Sequence, residues 1–152
     1  MKKLGMLLAL VMLMVSASIS YGEVHFKDLA FKDALKEASK DHKVIMVDLY
    51  TDWCGWCKKL DRDTYSDDTV GKYADENFVS LKINAEKGEG IDLAKNYQVN
   101  GYPTILFFNE KGEEIHRLVG YQAALKFKET LEVAVRKQRV GQSAIATPKN
   151  TN

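Results

Sequence analysis

Cys54 and Cys57 are the only cysteines in this 152-residue chain, and they stand with two residues between them in Trp53-Cys54-Gly55-Trp56-Cys57-Lys58. Both tryptophans of the chain fall in the same stretch. A Cys-x-x-Cys placed where a strand hands over to a helix is a dithiol suited to cycling with a disulfide. The species that attacks a disulfide is the thiolate, and a free cysteine with a pKa near about 8.5 is mostly protonated at neutral pH. In the first turn of a helix, Cys54 would meet unpaired N–H groups and the positive end of the dipole, both of which favour an anion. It is the candidate nucleophile. Cys57, one helical turn on, is placed to attack the resulting mixed disulfide and release the substrate. The competing chemistry is a metal knuckle. Zinc takes about four ligands, there is no third cysteine, and His25, His42 and His116 are scattered without ligand spacing. No metal is expected, and no cofactor beyond the Cys54–Cys57 disulfide itself.

Four further residues could take part in chemistry. Asp48 interrupts the apolar run Val44 to Tyr50, and a carboxylate inside a buried strand is costly unless it is paired or takes up a proton. The plainer alternative is a hydrogen-bonded, inert aspartate at a strand end. Pro103 stands at the start of a predicted core strand although it cannot donate a ladder hydrogen bond. Trp53 and Trp56 offer apolar area around Cys54, as a surface that docks many partners would. Trp56, between the cysteines, is expected to be exposed, whereas Trp53 fits packing equally well.

The elements that must position these residues follow from periodicity. Val24-His25-Phe26 alternates as a short edge strand, and Asp28 can cap a helix to about Lys40. There Phe31, Ala34, Leu35 and Ala38 share one face. Val44 to Tyr50 is continuously apolar apart from Asp48, which predicts a strand covered on both sides. A helix continues from the cysteines to about Tyr65, breaks at Ser66-Asp67-Asp68, and resumes from a Ser66 or Asp67 cap through Tyr73. Phe78 to Ile83 is the next strand. The polar loop Glu86 to Gly90 follows, without the spacing of a dinucleotide fingerprint, and then a helix from Ile91 to Tyr97. Thr104 to Phe108 and Glu113 to Val119 pair as a hairpin around Asn109-Glu110-Lys111-Gly112. A last helix from about Ala123 to Gln138 carries Phe127, Leu131, Ala134 and Val135 on one stripe. Alternating strands and helices ending in a hairpin predict an α/β mixed sheet with helices on both faces.

The ends of the chain read differently. Lys2 and Lys3, the apolar run Leu4 to Val15, and the small residues Ser16, Ala17, Ser18 and Ser20 have the order of a secretory signal peptide. Residues 1–22 are assigned to it, with cleavage after Ser18, Ser20 or Gly22. An uncleaved anchor is the alternative, but the run is near the lower limit for spanning a bilayer of about 30 Å. Removing this leader takes away two lysines and no acids, so the formal charge moves from +1 to about −1. A near-neutral chain without a basic patch gives no reason to expect nucleic-acid binding. The remaining roughly 130 residues suit one domain with one core, 23–139. Residues 140–152, small and polar without period, are expected to be a disordered tail.

Together, Val47-Asp48 before the Trp53 to Lys58 motif, Gly101-Tyr102-Pro103-Thr104, and Gly120 after the last strand resemble the thioredoxin superfamily. The likeness covers Val24 to Gln138. Within the superfamily the chain is most similar to exported single-domain thioredoxin-like proteins and to the C-terminal domain of the membrane thiol:disulfide interchange reductase. The resemblance implies the thioredoxin fold. It implies that Asp48 accepts and donates the proton of the resolving Cys57, and that Lys82 on the following strand stands beside it. It implies a cis bond before Pro103, with the backbone of Tyr102 open to pair with substrate. The implied activity is a protein-disulfide oxidoreductase in the periplasm or secreted medium, acting as a monomer on disulfide-containing proteins and supplied by a membrane thiol:disulfide donor. Two departures stand out. Gly-Trp replaces the Gly-Pro usual between the cysteines, leaving the potential open within about −270 to −120 mV. Arg62 stands where thioredoxins carry a helix-bending proline, so a straighter helix is expected. Alternatives to the reductase are a disulfide oxidase or isomerase, and a client-binding chaperone-like module with incidental cysteines.

Overall fold

The computed structural model describes residues 22–146. The leader read at 1–22 lies outside them but for Gly22. Five α-helices and four strands follow in the order α1 (Phe31–Asp41), β1 (Val44–Tyr50), α2 (Gly55–Leu60), a π-turn (Asp61–Tyr65), α3 (Asp68–Asn77), β2 (Phe78–Asn84), α4 (Glu89–Asn96), β3 (Thr104–Phe108), β4 (Glu114–Val119) and α5 (Ala124–Ala146). The sheet order is β2-β1-β3-β4. β1 and β2 run parallel, with Asp48 opposite Lys82. β3 is antiparallel to both β1 and β4. This is the predicted mixed α/β sheet.

Side-chain alternation along β1 divides the core in two. Ile45, Val47 and Leu49 face α1 and α4, where Ala34, Ala38 and Leu93 cover them. Val44 and Met46 face Leu60, Tyr65, Ala74 and the Phe127–Leu131–Ala134–Val135 stripe of α5. Each fully buried aromatic or aliphatic side chain contributes about 1.5–3 kcal/mol, so β1 is clamped from both sides. Asp48 shares the face of Val44 and Met46, the side that α2 packs against.

Four expectations are corrected. Val24–Phe26 forms no strand. Its neighbourhood makes single main-chain bonds to two different elements, Val24 N–H to Tyr65 O at 2.8 Å and Lys27 N–H to Ser80 O at 2.8 Å, so residues 22–30 are an extended strap rather than a ladder. Gly71 lets this strap close in, since a Cβ there would lie 2.6 Å from the Glu23 backbone. Asp28 does not cap α1. Ala30 is the N-cap residue, and the Phe31 N–H donates to both Glu89 carboxylate oxygens at 3.1 Å, across from α4. The helix after the cysteines is not straighter for having Arg62. Leu60 and Tyr65, five residues apart, both enter the same core cluster, and only a π-turn brings i and i+5 to one face. Thr64 Oγ1 holds that turn by donating to Gln122 O at 2.7 Å. Finally, α5 continues past Gln138 to Ala146. Gln138 is buried and its amide donates to His42 O at 2.9 Å, which ties α5 to the α1–β1 corner, and beyond it Arg139, Val140 and Gly141 are exposed. Residues 147–152 of the expected tail lie outside those described.

Candidate active site

The loop that ends β1 delivers the cysteines. Cys54 N–H donates to Thr51 O at 3.2 Å, which folds the chain back before α2. Cys54 is the N-cap of α2, and its Sγ accepts from Cys57 N–H at 3.0 Å. The two sulfurs are joined as a disulfide, and both residues are nearly buried. When the bond is reduced, the same N–H and the helix end face whatever charge Cys54 Sγ carries.

Neighbouring loops hold this one in place. Asp52 accepts from Lys87 Nζ at 2.7 Å and Asn84 Nδ2 at 3.0 Å, and Trp53 Nε1 donates to Glu86 at 3.0 Å. Exposed pairs of this kind are individually weak. Three of them between the same two loops fix orientation more than they add stability. Thr104 pairs with Leu49, so the Tyr102–Pro103 bond, which is cis, reaches the same end of β1. Pro103 O accepts from Gly120 N–H at 2.8 Å, and Gly120 takes φ +89°, a conformation that favours glycine. Trp53 lies edge-on to Tyr102, ring centroids 6.0 Å apart. Trp56 lies instead against Tyr121 at 5.8 Å, and Lys59 Nζ stands 4.8 Å from that Tyr121 ring. Both tryptophans remain mostly exposed, Trp53 68% and Trp56 60%. The disulfide thus sits between two aromatic walls.

Behind it, Asp48 is wholly buried. Lys82 Nζ donates to Asp48 Oδ2 at 2.7 Å and to Asp61 Oδ1 at 2.6 Å. The ammonium also lies 5.0–5.4 Å from the ring centroids of Tyr50, Tyr65 and Phe26, where aromatic faces favour a cation. Burial pushes the Asp48 carboxyl above its ordinary value and outweighs the opposing pull of Lys82. Burial also works to lower Lys82, but the Asp48 charge and the two carboxylate hydrogen bonds hold it above its ordinary value. The Tyr65 hydroxyl is pushed well up by burial and then by the Asp48 charge. Among the described residues, neither Asp48 Oδ1 nor the Tyr65 hydroxyl has a hydrogen-bond partner.

The structure therefore pairs Asp48 with Lys82, joins Trp53 to Tyr102, and sets Pro103 beside the cysteine loop, but keeps Trp56 apart from Trp53. Sequence reasoning missed Asp61 and Tyr121. Asp61 lies four residues after Cys57, one turn on along a helix face, and that spacing was the signal for it. Tyr121 had no signal beyond its place next to Gly120. Among the described residues, no group of three or more His, Cys, Asp and Glu side chains comes together as a metal site.

Residues 31–134 match the Thioredoxin-like domain family. The chain belongs to that family. The thiol:disulfide interchange protein DsbD of Yersinia pestis (strain Pestoides F) is 38% identical over 98 residues, covering 62% of this chain and 16% of that protein. A solution structure from Bacteroides thetaiotaomicron, described provisionally as a disulphide-isomerase, is 40% identical with TM-score 0.68, covering 76% of this chain and 96% of that one. The oxidised DsbD C-terminal domain of Neisseria meningitidis is 30% identical with TM-score 0.58, covering 72% and 97%. The chain spans 16–20% of the length of the curated relatives it matches. Family membership and a Cys54–Cys57 disulfide at a helix N-cap give the chain a dithiol–disulfide pair in the setting of a thioredoxin-like domain.

Proposed function

We propose that the protein works in the reductive direction, taking electrons from a membrane thiol:disulfide donor and passing them to disulfide-containing proteins outside the cytoplasm. Export is supported by the leader pattern Lys2 to Ser20. Among the described residues no helix is long and apolar enough to cross a membrane. The donor is supported by likeness to DsbD, a thiol:disulfide interchange protein.

The observation that carries the direction is the wholly buried Asp48 with its raised carboxyl pKa. The Cys54 thiolate attacks a client disulfide, forms a mixed disulfide and expels one client thiolate, which takes a proton from water. The Cys57 thiol gives its proton to Asp48, attacks Cys54 Sγ and expels the second client thiolate. The client disulfide gains two electrons and the dithiol loses two. A carboxylate whose proton affinity burial has raised is a better base for that proton transfer. Trp53 and Trp56 supply the docking walls. The main chain of Tyr102 makes no hydrogen bond among the described residues, which leaves it free to pair with an extended client segment.

Insulin reduction tests the dithiol step. Wild type is expected to reduce insulin, Cys54→Ser to be inactive, and Cys57→Ser to trap a client mixed disulfide. Client binding with no redox turnover in wild type would point to a binding module. The Bacteroides likeness favours a second reading, isomerisation. Refolding of scrambled ribonuclease separates the two, since an isomerase restores activity without consuming reductant stoichiometrically.

A further inference from the structure

We propose that Asp61, at the mouth of the cleft beneath Val24–Phe26, is the residue through which the buried Asp48 exchanges its proton with solvent. The proposal rests on the reading of Asp48 as proton acceptor for Cys57. On that reading Asp48 holds a proton once Cys57 has attacked, and it has no exposed surface of its own from which to lose it. That proton returns to Cys57 when the disulfide is reduced again, and exchange with solvent in addition needs a route past Lys82.

Among the described residues, a route leads out past Lys82. Lys82 Nζ touches Asp48 and Asp61 together, and the Asp61 side chain is 44% exposed while Lys82 is 21% exposed. An open cleft of about 370 Å³, lined by Glu23, Val24, His25, Phe26, Asp61, Tyr65 and Lys82, reaches the same ammonium from outside. Its volume holds several waters, each occupying about 30 Å³. Its roof is the strap. Phe26 packs edge-on to Tyr65 with centroids 4.9 Å apart, and His25 anchors the strap to Asp75 of α3. The titratable and charged groups facing Lys82 are Asp48 and Tyr50 from β1, Asp61 and Tyr65 from the π-turn, and Glu23 and His25 from the strap. The π-turn is what presents Asp61 and Tyr65 on either side of the ammonium.

The transfer balances without any added reagent. Lys82 gives one ammonium proton to the Asp61 carboxylate and takes the proton of Asp48. Asp61 then releases its proton to water. Lys82 ends as it began, Asp48 is again a carboxylate, and one proton has left. Asp61 acts through Lys82 and touches no reacting sulfur, so it is a positioning and relay residue.

Small carboxylic acids provide the test. The rate of insulin reduction is measured for wild type, Asp61→Asn, Asp61→Glu and Asp48→Asn across pH and increasing formate. Asp61→Asn is expected to lose on the order of tenfold in rate and to regain it as formate rises. Asp61→Glu should retain most of the rate, and wild type should ignore formate. Opening the roof with Phe26→Ala should restore part of the rate lost by Asp61→Asn, because the cleft over Lys82 then opens wider to water. A slow Asp48→Asn beside an Asp61→Asn of wild-type rate would overturn the relay and leave the Asp48 reading intact. An Asp61→Asn loss that formate and Phe26→Ala leave untouched would also overturn it, as a structural effect. An Asp48→Asn of wild-type rate would remove the Asp48 reading itself.

Discussion

A carboxylate with no exposed surface has to earn its place, and Asp48 has Lys82 to do it with. Lys82 offsets part of the burial cost but not all of it, and the carboxyl stays above its ordinary value of 3.8. A carboxyl that binds its proton more tightly when folded stabilises the fold fully below its unfolded value, and that contribution is lost as pH rises through the raised one. Asp48 is therefore a liability at neutral pH. Oxidised Asp48→Asn is expected to be more stable than wild type at pH 7, with a higher urea midpoint. The difference should fade below about pH 4, where both side chains are neutral. Urea unfolding at the two pH values reads this directly. A wild type more stable than the variant at pH 7 would show that pairing with Lys82 wins over burial. Asp48 was conspicuous in the sequence because its neighbours are continuously apolar. Asp61 was not, because its spacing four residues after Cys57 marks a shared helix face but does not show the contact with Lys82 that gives it a role.

Local rules held at the scale of elements wherever the cause lay within the element. The Asp67 cap is one case, accepting from Thr69 N–H at 2.9 Å and Val70 N–H at 3.1 Å. Asp67→Ala is expected to cost about 1 kcal/mol, measured by denaturant unfolding. An unchanged midpoint would mean that α3 is held by its packing on α5 alone. The β1 strand, the β3–β4 hairpin and the α5 stripe were legible for the same reason, since burial follows the 2- and 3.6-residue periods. The misses had distant causes. The N-terminus of α1 is satisfied by Glu89, 58 residues on, in place of Asp28. The π-turn follows from where Leu60 and Tyr65 must point, a demand set by the core and not by Arg62.

Across the molecule, the sheet is a rigid base that brings three distant pieces to one end of β1. These are the cysteine loop, the cis Tyr102–Pro103 turn and the Gly120–Tyr121 corner. The fold was legible because three motifs occur in the order that such a base requires. The direction of electron flow was not, since Gly55-Trp56 sets no pattern to read and the proton route depends on side chains from three elements. The reduction potential of Cys54–Cys57, obtained by equilibrating the protein against defined thiol–disulfide buffers, tests the reductive assignment most directly. A value nearer about −270 mV than −120 mV is expected; a value near that of a strong oxidant, about −120 mV, would contradict it.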